Sequence, residues 1–144
     1  MFYERKNLHV ALINTYSAHR RCCFREFQKL DLSTGQPKVL SILYKEEGHL
    51  QKDLAMRCHV EPATMTSLLS NMEKKNLIRK EAVYVSGGKR ANAVYLTETG
   101  RDMAMMVNKI IDDMEKISFK DFTEHEKAQL IGLLNRIESN LDND

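Results

Sequence analysis

Two groups of side chains in this sequence have the types and spacing to do chemistry. The first lies between Pro62 and Asn76. At helical spacing, one side of that stretch carries Met65, Leu68, Leu69 and Met72, and the other carries Ala63, Thr64, Thr66, Ser67, Ser70, Asn71 and Lys74. That second face is small and polar, not rich in the Glu and Lys that a helix takes on for solubility alone. Thr, Ser and Asn are poorer helix formers, but they suit base edges and phosphates. Further on, Ser86-Gly87-Gly88-Lys89-Arg90 sets two adjacent cations beside two glycines. A tip that narrow lets Arg90 reach a minor groove. Lys74, Lys75, Arg79 and Lys80 lie between the two features, where some of them can neutralise phosphates.

The second group is His19, Cys22 and Cys23, with Cys58 apart from them. His19 to Cys22 or Cys23 is a spacing that a metal uses on a helix, but the sequence offers no fourth ligand. The alternative is packing, since free cysteine is among the most buried residue types. Cys58 falls in the turn before the polar-faced helix, where oxidation would disturb docking. His9, His49, His59 and His125 are scattered and compose no site.

The elements that must carry these residues follow from periodicity. Leu8, Leu12, Tyr16, Cys23, Phe27 and Leu30 recur mostly three or four apart and predict a long first helix. Ser33 and Gln36 have capping-box spacing, and Pro37 suits the first turn of a short second helix carried by Val39, Leu40 and Leu43. Gln51 to Arg57 predicts another short helix, and Pro62 suits the first position of the next. From Leu77 to Leu96 the period changes to two around Val83, Val85, Val94 and Leu96, which predicts a hairpin. Two helices close the chain. One carries Met103, Val107, Ile110, Met114 and Ile117, and the other opens on Thr123-x-x-Glu126 and carries Leu130, Leu134, Ile137 and Leu141. Their three-four repeat outruns what a small winged core can cover, which predicts a dimer seam that also takes in Leu8 and Leu12.

Composition narrows the classes. The 144 residues are 42% hydrophobic and 29% charged, enough apolar content for one domain without disulfides or metal. The longest apolar run, Met103 to Val107, is far short of a membrane span. The first seven residues lack the order of a secretory signal, and three cysteines without a Cys-x-x-Cys pair suit a reducing cytoplasm. Charge is segregated: residues 1–47 carry eight Lys/Arg against five Asp/Glu, residues 48–97 eight against four, and residues 98–144 six against eleven. A basic middle and an acidic end point to a polyanion bound at the centre. With no Gly-rich phosphate loop, strained nucleophile elbow or metal tetrad, the chain is not expected to be an enzyme or to hold a cofactor.

Short helix, tight turn, polar-faced helix and hairpin is the order of a winged helix-turn-helix. Leu54-Ala55, Thr66, Leu68 through Ile78, Lys89-Arg90 and Leu96 through Arg101 resemble the MarR family of bacterial transcriptional regulators. The resemblance covers roughly residues 30–105 by motif and the flanking helices by order and length. It implies a cytoplasmic homodimer on pseudo-palindromic promoter DNA, usually a repressor released by a small ligand or by oxidation. Thr66 matches the family's recognition-helix threonine and Arg90 its wing arginine. Ser67 stands where arginine is common, and Gly88 stands where the wing aspartate usually precedes that arginine.

The expected fold is mainly α with a small β-hairpin wing, one domain over 1–144. Residues 1–32 form a first dimerisation helix, 33–97 the winged helix-turn-helix, and 98–144 the terminal dimerisation helices. The expected function is a sequence-specific DNA-binding repressor. DNA contacts are assigned to Ala63, Thr64, Thr66, Ser67, Ser70, Asn71, Lys74, Lys89 and Arg90. The expected partners are double-stranded promoter DNA, a second copy of the chain and a small lipophilic or aromatic effector, with no membrane. The effector cleft is expected between the winged region and the long helices, lined by the first helix and by Met103 and Met106. The alternatives are a thiol- or metal-responsive regulator of the same fold, acting through His19, Cys22, Cys23 or Cys58, and a winged-helix protein-interaction module.

Overall fold

Local signals start and stop most of the elements. The computed structural model describes residues 7–143, so residues 1–6 and 144, which the expected domain and signal readings included, lie outside the described residues. Asn7 caps α1 (Leu8–Gln28), its Oδ1 accepting from the His9 amide at 2.8 Å. A loop through Asp31 leads into α2 (Gln36–Lys45). The predicted Ser33–Gln36 capping box is only half made. Gln36 Oε1 does accept from the Ser33 amide at 3.1 Å, but Ser33 accepts the Gln36 amide through its carbonyl, and Gly35 is the cap residue. Strand β1 (His49–Leu50) follows, then α3 (Gln51–Arg57) and α4 (Pro62–Lys74), with both proline positions as expected.

The hairpin consists of β2 (Ile78–Val85) and β3 (Lys89–Leu96), antiparallel in a register running from Ile78↔Leu96 to Val85↔Lys89. Gly87 and Gly88 both take positive φ at its tip (83° and 73°), a pair of conformations that β-carbon sterics deny to most residues. Strand β1 pairs with β3 on its other edge, giving the order β1-β3-β2. Two residues are too few to show a period, so β1 was not readable in sequence.

Thr97 caps α5 (Glu98–Ser118) and ties it to the winged region: its hydroxyl donates to the Asn76 carbonyl at 2.6 Å and accepts from the Gly100 amide at 2.9 Å. A β-carbon on Gly100 would stand 1.8 Å from the Leu77 carbonyl oxygen, so α5 can approach β2 only with glycine there. The Thr123 capping box closes from both sides at 2.9 and 3.1 Å and opens α6 (Glu124–Asp142).

One core joins the winged elements to α5. Val39, Leu40 and Leu43 of α2, Leu54 of α3, Met65, Leu69 and Met72 of α4, Val94 of β3 and Ala104 and Val107 of α5 are fully buried together. Val107 was expected in the dimer seam. Instead it faces this core, because α5 packs along α2, where Ser41 donates to Asn108 at 3.1 Å. By contrast α6 buries no residue within the chain, and α1 buries only Cys23. Among the described residues no helix is long and apolar enough to cross a membrane.

Candidate nucleic-acid interface

Helix α4 has 13 residues, about 20 Å of rod at 1.5 Å per residue. Its Met65, Leu69 and Met72 are buried and Leu68 is half-buried, which fixes the rotation of the helix. That rotation leaves Ala63, Thr64, Thr66, Ser67, Asn71 and Lys74 exposed, with Ser70 half-buried at the edge. A helix of this diameter fits the roughly 12 Å width of a major groove. Beyond it, Lys89 and Arg90 are exposed at the wing tip. The N-terminal ends of α3 and α4 and the wing strand β3 border one shallow cleft, lined by Gln51, Lys52, Pro62, Ala91 and Asn92. The expected DNA-facing residues of α4 and the wing therefore belong to adjoining surfaces.

Ion pairs and hydrogen bonds within the chain divide the cations of the basic middle. Lys75 donates to the Asp31 carbonyl and, at 3.1 Å, to Gln36 Oε1, which locks the end of α4 to the loop before α2. Arg79 pairs with Glu81 at 3.1 Å and lies over the Tyr95 ring at 4.4 Å, and Lys80 pairs with Glu73 at 3.1 Å. Some of Lys74, Lys75, Arg79 and Lys80 were expected to serve phosphates; of these four, Lys75, Arg79 and Lys80 have partners inside the chain. Among the described residues no salt bridge engages Lys52, Lys74, Lys89 or Arg90. Unneutralised exposed cations attract phosphate most strongly, since an intramolecular pair must otherwise be broken first. Beyond its adjoining residues nothing lies within 4 Å of a β-carbon built on Gly88, but its φ of 73° is one that a side chain rarely adopts, so the tip as folded here suits glycine and not an aspartate.

Sequence reasoning missed three residues of this surface. Gln51 donates through Nε2 to Thr66 Oγ1 at 2.7 Å, a contact fifteen residues apart that no local pattern announces. Lys52 stands beside it. Tyr84 is 78% exposed and sits opposite Arg90 in the hairpin register; its outward place was available from the alternation of Val83 and Val85.

The second group of candidates does not assemble. Cys23 Sγ lies 3.8 and 3.9 Å from the two ring nitrogens of His19, but among the described residues no three His, Cys, Asp or Glu side chains gather as a metal site. Burial, with the neighbouring Cys22 second, pushes the Cys23 thiol up from the ordinary range. Burial also pushes Cys58 up, against a smaller opposing effect of Lys38. Both shifts disfavour the reactive thiolate. A cleft of about 430 Å³ does lie between α1 and α2, lined by Tyr16, His19, Cys23, Phe24 and Lys38 among others. Met103 and Met106, expected on its wall, are not there: Met103 packs against the core and Met106 faces outward on α5. The loop from Leu32 to Gly35 takes their place, because α5 presents Ile111 to the cleft.

Comparison with known proteins agrees with this geometry. Residues 32–82 match the model of the MarR family. The HTH-type transcriptional regulator YybA of Bacillus subtilis (strain 168), itself uncharacterized, is 26% identical over 119 residues, which are 83% of this chain and 78% of YybA. The crystal structure of the transcriptional regulator PA3341 is similar with a TM-score of 0.84 at 27% identity, over 96% of this chain and all of that one. A putative MarR family transcriptional regulator from Listeria monocytogenes, solved with a 26mer DNA, gives a TM-score of 0.85 at 22% identity, over 96% and 91% of the two chains; at that identity it attests the fold alone.

Proposed function

We propose that this chain is a member of the MarR family of winged helix-turn-helix transcriptional regulators and works as a homodimeric, ligand-released repressor in the cytoplasm, a reading supported by the match of residues 32–82 to that family's model and by the likeness to YybA and PA3341. The observation that carries the reading is the polar exposed face of α4 next to a wing whose Lys89 and Arg90 have no salt-bridge partner among the described residues. Residues 33–97 make the DNA contacts, with α4 in the major groove and Arg90 in the adjoining minor groove. Thr64, Ser67 and Asn71 meet base edges or phosphates, Ala63 and Ser70 complete the face, and Lys74 and Lys89 neutralise phosphates.

Residues 1–32 and 98–144 hold two copies together. The support is apolar surface that none of the described residues covers: Leu8 is 55% exposed, Ile117 66% and Leu141 68%, and Leu12, Leu130 and Leu134 are also exposed. A seam of that kind sets the two α4 helices about one DNA turn, roughly 34 Å, apart on a pseudo-palindromic site. The cleft between α1 and α2 suits the effector. Arg20 and Lys38 stand among its rings and, among the described residues, no carboxylate lines it, a lining that favours an aromatic anion. A ligand there would favour a spacing of recognition helices that no longer fits two successive grooves.

Fluorescence anisotropy on the DNA upstream of the protein's own gene, with competitor DNA and at two salt concentrations, tests the regulator reading. Tight binding that resists competitor and weakens with salt is expected. Weak binding that competitor abolishes would contradict sequence-specific regulation of that site and favour a winged-helix protein contact instead.

A further inference from the structure

We infer that Thr66 reads a thymine through its methyl group and that Gln51 is the positioning residue that confines it to that role; the inference rests on the DNA-binding reading above. Thr66 lies on the exposed face of α4. Its hydroxyl donates to the Pro62 carbonyl at 3.0 Å and accepts from Gln51 Nε2 at 2.7 Å. A hydroxyl has one hydrogen to give, so Thr66 keeps no donor for a base and only one lone pair as acceptor. What it still offers the groove is chiefly its γ-methyl. In the major groove the 5-methyl of thymine is the base feature recognised by apolar contact. The bond to the carbonyl four residues back also restricts the side-chain torsion, so the methyl is held in place.

Gln51 opens α3, and its amide reaches across the turn to the first half of α4. It therefore acts on the DNA through Thr66. Removing the amide hydrogen that Thr66 accepts would free a second lone pair on the hydroxyl and leave the bond to the Pro62 carbonyl alone to hold its rotamer. A threonine so released could accept from adenine or cytosine amino groups, and the choice of base at that position would relax.

The test selects a half-site for the full-length protein from a random duplex pool, then replaces each thymine in turn by deoxyuridine, which lacks only the 5-methyl. One such replacement per half-site is expected to weaken binding about fourfold, the scale of burying one methyl group. Thr66→Val, which keeps a methyl and loses the hydroxyl, should retain that penalty. Thr66→Ser, which keeps the hydroxyl and loses the methyl, should bind the thymine site about fourfold more weakly per half-site, about sixteenfold for a dimer on both, and show no penalty for deoxyuridine. Gln51→Met should leave the thermal unfolding of the protein nearly unmoved while broadening base choice at that one position. The inference is overturned if no deoxyuridine weakens binding, if Ser keeps the penalty while Val loses it, or if Gln51→Met leaves the selected sequence unchanged. A pool that yields no preferred sequence would overturn the DNA-binding reading itself, a different failure.

Discussion

The winged region and the terminal helices dispose of their apolar residues in opposite ways. From α2 to β3 most of the large apolar side chains point into one core, Met56 and Tyr84 being the main exceptions, and the outer face of α4 is polar. In α6 no residue is buried, although Leu130, Leu134, Ile137 and Leu141 recur with the same regularity as the buried residues of α4. A surface that hides its apolar groups and displays Thr, Asn and unpaired cations is finished as a fold and faces a polar partner. A helix that displays leucines is unfinished and awaits an apolar one. Where a chain leaves its apolar residues therefore separates the surface for DNA from the surface for a second copy.

Substitutions that break this contrast should rank by how much packing they remove. Leu69→Ala, in the closed core, is expected to destabilise the protein by about 2–5 kcal/mol, read by denaturant unfolding. A loss under 1 kcal/mol would mean that α4 is less firmly seated than its burial indicates. Leu134→Lys, on the open helix, should act on assembly: light scattering is expected to report a monomer, while the circular dichroism of the winged elements persists. A variant that still measures as a dimer would remove α6 from the seam.

Arg90→Ala touches neither core nor seam. It should weaken DNA binding by about 1–3 kcal/mol per wing and reduce the slope of log affinity against log salt by about one per wing, about two for a dimer, with unfolding unchanged. An unchanged salt slope would mean that the wing stays off the DNA. The smallest effect concerns the thiols. The raised values of Cys23 and Cys58 mean that their folded, neutral forms persist above the ordinary thiol range. Their contribution to stability is present below that range and is lost as pH rises through the raised values. Alkylation by iodoacetamide should accordingly run slower than for free cysteine at neutral pH and accelerate only in alkali. Reaction faster than free cysteine at neutral pH would reopen the thiol-sensing alternative.

What the sequence made legible was local. Pro62 at the start of α4, the limits of α3 and the Thr123–Glu126 box depend on residues within one turn of each other, and all three stand where expected. The candidate face of α4 was legible for the same reason, since Met65, Leu69 and Met72 set its rotation. What escaped depends on contacts between elements. Lys75 and Lys80 read as available charge until Gln36 and Glu73 are brought beside them. Val107 shares its stripe with Ile110 and Ile117, and only the approach of α2 to α5 assigns it to the core. The hydroxyl of Thr66 likewise counts as free until Gln51 is placed next to it.

The division between the two regions can be tested in one measurement: amide hydrogen exchange of the full-length chain, free and bound to a selected duplex. Peptides spanning Pro62–Lys74 and Val85–Arg90 should slow on adding DNA, while those spanning Glu124–Asp142 should not respond to it. Slowing confined to Glu124–Asp142, with α4 and the wing unaffected, would contradict the assignment of DNA to the closed, polar surface.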